Sequence, residues 1–224
     1  MDSITVPHEK IDQLRKHFDE AYDSLEDAQW QINKELLAKL YNITDKEKVM
    51  QTKRGIMKRG TDAHKLVAEI LEPFNIKAHP DGWHINYARG FLPIAMHVDI
   101  PEHDTNNDGD TILIPLTFDD RIKTLWWKCH VYEAVFDFWI EKQDWANKKK
   151  LNNISEKYDL SNGFWRKPEV VDYMPLDGIG DWSKGNIFKG RRSQPHCSNN
   201  FVTSGIPYKD YILIQTQDQS YRSE

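Results

Sequence analysis

The feature that most constrains this chain is a change of hydrophobic period near residue 73. Before it, Ile11, Leu14, Phe18, Tyr22 and Leu25 recur three or four apart, as do Ile32, Leu36, Leu37 and Leu40, and no glycine precedes Gly55. That spacing predicts helices with one apolar face. Thr44 with Glu47 forms a capping-box pattern, and Thr61-Asp62 marks the start of a third helix ending near Pro73. After residue 73 the pattern becomes strand-like. A hairpin is predicted over residues 74–87, turning at Pro80, Asp81 and Gly82, followed by strands over 92–100, 111–118, 122–131, 186–192 and 208–217. A polar loop spans 103–110, and residues 132–182 form a less regular insertion with aromatics, a lysine run and a Gly/Pro-rich end. The expected class is therefore mainly β with α: one domain over 1–224, with an N-terminal helical layer over 1–73 and a β core over 74–217.

Composition narrows the function classes. The net charge of -5 gives no reason to expect a nucleic-acid partner, and the basic doublets read as solvated surface. Cys129 and Cys197 are the two cysteines, so a disulfide framework is excluded and a reducing, cytoplasmic location is expected. The longest apolar run is strand-sized, so no membrane span is expected.

His97-Val98-Asp99 is the first chemically loaded triplet. The chain supplies its own control in His17-Phe18-Asp19. Residues two apart in a helix point about 200° from one another, so His17 and Asp19 cannot share an ion. In a strand, residues two apart project from the same face, so His97 and Asp99 can. A third ligand is needed, and His196, placed after a late strand, is the best positioned. His84 and His103 are alternatives, although a surface or core imidazole is the simpler reading of each. Two histidines and one carboxylate on an iron leave open positions for a bidentate co-substrate and dioxygen.

This arrangement resembles the 2-oxoglutarate/Fe(II) oxygenase superfamily, in particular its prolyl-hydroxylase-like and phage-type members, over residues 83–216. Asn86, Tyr87 and Gly90 ahead of His97 and Asp99 look like the family's approach to its His-x-Asp strand. Ile112 to Leu116 is similar to the next core strand, Gly185 to Phe188 followed by His196 to the strand bearing the distal histidine, and Lys209 with its following apolar residues to the closing strand. The resemblance implies a double-stranded β-helix (jelly-roll) core and metal binding by His97, Asp99 and His196. It implies iron(II) as cofactor and 2-oxoglutarate as co-substrate, with dioxygen and an unidentified organic substrate as further partners. Lys209 would hold the distal carboxylate of 2-oxoglutarate with help from Tyr87, and Arg191, Arg192 or Lys123 are alternative cations. A carboxylate at Asp99 implies hydroxylation of an unactivated carbon of a peptide or small molecule, with release of succinate and CO2. A cupin-like metalloenzyme that needs no keto acid, and a non-catalytic binding barrel, are the rival readings.

Overall fold

The computed structural model describes residues 1–27, 52–94, 96–99, 109–131, 143–160 and 168–216. Two antiparallel sheets organise them. The larger contains β1 (Asp2–Thr5), β2 (Glu26–Asp27), β3 (Thr52–Ile56), β4 (His84–Gly90), β5 (Asp110–Pro115), β8 (Asn186–Arg191) and β10 (Lys209–Gln215), in the order β1-β8-β5-β10-β4-β3-β2. The smaller contains β6 (Lys123–Trp127), β7 (Leu176–Asp181) and β9 (His196–Ser198), in the order β7-β6-β9.

The central strands β5 and β10 read as unbroken apolar runs because both of their faces are covered. Alternate residues Ile112, Ile114, Ile212 and Ile214 turn outward and pack with Ile11, Leu14 and Phe18 of helix α1 (His8–Ala21) and Val67, Ile70 and Leu71 of helix α2 (Asp62–Leu71). The intervening Leu113, Tyr211 and Leu213 turn inward against Trp126, Trp182, Phe188 and Phe201. Each fully buried isoleucine contributes about 1.5–3 kcal/mol by leaving water, so the outward and inward sets are both strongly specified. A one-residue slip would exchange them. Thr61 caps α2 as expected, its hydroxyl accepting from the His64 N–H at 3.3 Å.

Several expectations are corrected. The first 73 residues are not a helical layer alone: β1 pairs with β8 and β3 with β4, so this segment contributes strands to the main sheet. The segment 52–56 carries Thr52, Lys53 and Arg54, and its strand conformation comes from pairing rather than from an apolar alternation that could be read in advance. Residues 74–79 are not the first arm of a hairpin, because Phe74 ends a 3-10 turn and Asn75 takes a left-handed φ of 48°. Residues 91–94 and 96–99 are irregular, and among the described residues of 92–100 the bridge His97 to His196 stands in place of the expected strand. The end of the 132–182 segment is part of the small sheet, as β7 pairs with β6. Earlier in that segment, the short helix α3 (Ile154–Lys157) packs Ile154 beside Leu125 and Trp127. The predicted helix over 32–40, the Thr44 cap, most of the 103–110 loop and the aromatics Phe136, Phe138, Trp139, Phe164 and Trp165 lie outside the described residues.

Candidate metal centre and anion pocket

His97 and Asp99 are held by main-chain clips rather than by a long strand. His97 and His196 exchange N–H to carbonyl bonds of 3.1 and 3.0 Å, and the Asp99 N–H donates to the Arg192 carbonyl at 2.8 Å. The Arg192 guanidinium then donates to the Asp99 carbonyl at 2.7 Å. These four bonds fix residues 97–99 against 192–196, and the three side chains converge. His97 Nε2 lies 3.6 Å from one Asp99 carboxylate oxygen, and His196 Nε2 lies 3.5 Å from the other. Donor atoms of all three lie within 4.8 Å of one another, a spacing that one ion can span.

The surroundings set the donor chemistry. The Thr111 hydroxyl donates to Asp99, and the His196 Nδ1 lies 3.0 Å from the Gln194 carbonyl. That carbonyl can only accept, so Nδ1 carries the proton and Nε2 presents its lone pair, the arrangement a metal ligand needs. Burial, then the neighbouring His97, pushes His196 down to about 4, so it is neutral at pH 7. Burial works to raise the Asp99 carboxyl, but His196, His97 and Thr111 together hold it well below the usual carboxylate range. A carboxylate and a neutral buried imidazole are thus ready to bind a cation without shedding protons. His97 is the most open of the three, at 29% side-chain exposure.

Deeper between the sheets sits Lys209, only 3% exposed. Its ammonium lies 4.7 Å from the Trp182 ring centroid and 5.2 Å from that of Phe201. Among the described residues no carboxylate pairs with it, and burial pushes it down to about 7. A cation taken out of water without a counter-charge is costly, and its position suits an anion supplied from outside. The buried hydroxyl of Thr52, on the same sheet face, also lacks a hydrogen-bond partner among the described residues, and the Tyr211 hydroxyl on that face lies within reach of the Arg54 guanidinium. Thr52 aligns with Gly90 and Gly90 with Lys209, while Ala88 aligns with Tyr211, which places Lys209, Thr52 and Tyr211 on one inward face.

Tyr87 is a correction. Its register partner is Ile212, which belongs to the helix-facing set, and its ring packs edge-on to Phe18 at 6.0 Å. It is on the wrong face of β4 to reach an anion beside Lys209. Tyr211 is the tyrosine that shares the Lys209 face, as its period-two spacing along β10 could have shown. The alternative cations are also accounted for: Lys123 pairs with Asp181 at 2.6 Å, Arg191 reaches Asp110 at 3.4 Å, and Arg192 is engaged with the Asp99 carbonyl. His84 is exposed at the start of β4, and His103 lies outside the described residues. The control pair separates as expected, with His17 beside Glu20 at 3.5 Å on the α1 surface.

Against known proteins, no protein-family model matches the sequence, and no curated protein matches it either. Solved structures do. A prolyl-4-hydroxylase from Pseudomonas putida superposes over 98% of this chain and 92% of its own, with a TM-score of 0.51 and 8% identity. The chain has the fold of the 2-oxoglutarate oxygenases. A Trichoplax adhaerens prolyl hydroxylase, solved with a hypoxia-inducible-factor peptide, matches over 99% of this chain and 85% of its own, with a TM-score of 0.54 and 12% identity. HygX from Streptomyces hygroscopicus, solved with nickel and 2-oxoglutarate, matches over 98% and 83%, with a TM-score of 0.51 and 8% identity. At such identities the likeness is one of fold, and function has to be argued from the site. No helix among the described residues is long and apolar enough to cross a membrane.

Proposed function

We propose that this chain is an iron(II)- and 2-oxoglutarate-dependent dioxygenase on a double-stranded β-helix, hydroxylating an unactivated carbon of a peptide or small molecule. His97, Asp99 and His196 would hold the iron, and Lys209 the distal carboxylate of 2-oxoglutarate. In this reading 1–224 is one domain. Its core over 74–217 is completed by β1 and β3 from the first 73 residues, and the described part of the 132–182 segment walls one side.

The observation that supports the reading is the pairing of two features between the two sheets: a His/Asp/His cluster with a metal-sized gap, and a buried lysine with no carboxylate partner among the described residues. A metal site alone would suit a cupin-like enzyme equally well. The lysine adds a demand for a second anionic group at depth, which a dicarboxylic keto acid meets. The donor set fits iron(II), since two imidazoles and one carboxylate leave positions for a chelating co-substrate. Iron(II) with 2-oxoglutarate and dioxygen supplies oxidative decarboxylation, giving succinate and CO2, coupled to oxidation of a C–H bond. The chain's own part is to orient and to exclude water. Thr111 and the Gln194 carbonyl fix the ligand rings and lone pairs, Tyr211 and Thr52 offer hydroxyls to the anion, and the Trp182 and Phe201 rings keep the Lys209 region dry.

The test is succinate release from 2-oxoglutarate by the purified chain with iron(II), followed by mass spectrometry. His97→Ala, Asp99→Ala and His196→Ala should each abolish it, and His17→Ala should leave it intact. Full activity in His196→Ala would remove the ligand assignment.

A further inference from the structure

We propose that Trp126 is a positioning residue with two duties: its ring clamps His196, and its indole N–H donates to an oxygen of the 2-oxoglutarate bound at the centre. The inference rests on the oxygenase reading and adds a residue and a bond to it.

Trp126 and His196 are register partners on β6 and β9, so their side chains rise from the small sheet side by side. The two rings stack at 4.3 Å between centroids with 19° between planes. What presses them together lies across the barrel at Gly190 of β8. A Cβ there would lie 2.4 Å from Trp126 Cζ3 and 2.5 Å from Cε3, far inside contact distance. Only glycine leaves room for the indole, which is therefore wedged between β8 and the imidazole. Together with the Nδ1 bond to the Gln194 carbonyl, this wedge fixes both the tilt and the direction of the His196 ring.

The second duty rests on a missing acceptor. Trp126 is fully buried, yet its Nε1 has no hydrogen-bond partner among the described residues. The other buried indoles are satisfied: Trp83 donates to the Ala78 carbonyl at 2.9 Å, Trp127 to the Val171 carbonyl at 3.3 Å and Trp182 to the Thr124 hydroxyl at 2.9 Å. A buried donor left unpaired is a standing cost to the fold, so an exception beside a candidate ligand calls for a reason. The Cβ position at Gly190, 2.4 Å from Cζ3, 2.5 Å from Cε3 and 3.0 Å from Cη2, lies over the flat of the indole, so the ring is held face-on by Gly190 and stacked on His196, and Nε1 looks out from the rim of that stack. Trp126 is buried in one cluster with Trp182, Phe201 and Tyr211, and Lys209 lies against the rings of those same three residues. An anionic oxygen held next to His196 is the acceptor this N–H lacks.

Two substitutions separate the duties. Trp126→Phe keeps a stacked ring and removes the N–H, and Gly190→Ala keeps the N–H and displaces the ring. Manganese(II) affinity, and then 2-oxoglutarate affinity for the manganese-loaded chain, are read by calorimetry, with circular dichroism reporting the fold. Trp126→Phe should bind manganese within about threefold of the unaltered chain and bind 2-oxoglutarate about 10- to 100-fold more weakly, the usual loss for a hydrogen bond to a charged group. Gly190→Ala should lose manganese affinity by about tenfold, the size of effect expected when a ligand loses its orienting neighbour. Unchanged 2-oxoglutarate affinity in Trp126→Phe overturns the N–H bond, and unchanged manganese affinity in a folded Gly190→Ala overturns the clamp. If the unaltered manganese-loaded chain binds no 2-oxoglutarate, the oxygenase reading itself fails, and the bond proposed for Trp126 fails with it.

Discussion

Replacing Lys209 with methionine keeps the unbranched apolar stem and removes the charge, and the burial of this lysine sets the size of the effect. Burial carries it from an ordinary 10.5 down to about 7. At 1.36 kcal/mol per decade, that displacement corresponds to roughly 5 kcal/mol of disfavour for the charged form in the empty pocket. The unfolded chain keeps its proton up to about pH 10.5, whereas the folded chain releases it near pH 7. Between those values the unfolded state binds more protons, so this group makes the empty protein more stable as pH rises. Lys209→Met should therefore be at least as stable as the unaltered chain at pH 7, and its stability should rise less between pH 7 and 9.5. Binding of 2-oxoglutarate should move the other way. The distal carboxylate needs the ammonium, so the unaltered chain should take up a proton on binding above pH 7 and lose affinity as pH rises. The methionine variant has no cation to offer and should bind about 100-fold more weakly or worse, since a buried carboxylate left unpaired costs about 3–5 kcal/mol. Urea unfolding at the two pH values gives the first quantity. Calorimetry in buffers of differing ionisation enthalpy gives the second. A methionine variant that binds 2-oxoglutarate normally would refute the anion-pocket reasoning.

Three further outcomes are expected. Tyr211→Phe should weaken 2-oxoglutarate binding by about tenfold, as one hydrogen bond to a charged group is lost, while Tyr87→Phe should leave it unchanged; the reverse order by calorimetry would restore Tyr87 to the site. Thr111→Val should lower metal affinity by about 10- to 100-fold through loss of the hydroxyl that orients Asp99, and equal metal affinity in the two proteins would show that Asp99 is oriented without it. Asp210→Ala should destabilise the fold by about 3–5 kcal/mol in urea, because the fully buried carboxylate receives Arg89 at 2.6 and 2.8 Å and Arg15 at 2.8 Å; a loss under about 1 kcal/mol would mean that solvent compensates both arginines.

Much of the candidate site was legible because its logic is periodic. His97 and Asp99 stood out from His17 and Asp19 through the geometry of residues two apart, and that geometry survives although 96–99 is irregular: main-chain clips to Arg192 and His196 do what a longer strand would have done. Lys209 was reached only through the resemblance of its segment to the family's closing strand, and the structure places it buried on β10. Tyr87 was misread because β4 is buried on both faces, so apolar or aromatic character carries no sign of which face is inward, and only the pairing with Ile212 reveals it. The strands β1 and β3 were hidden for a related reason. Both are short and polar, and they gain strand conformation from the neighbours they pair with. Gly190 and Trp126 could not have been linked from sequence, because their contact crosses between the two sheets and has no local spacing.

The measurement that bears most directly on the central claim is an anaerobic titration of the metal-free chain with iron(II) and then 2-oxoglutarate, followed in the visible. A weak charge-transfer band that appears only when both are present, saturates at one equivalent of each, and is absent in His97→Ala, Asp99→Ala and His196→Ala is the expected result. Iron binding without that band on saturating 2-oxoglutarate would contradict the oxygenase assignment and leave a metal centre that uses no keto acid.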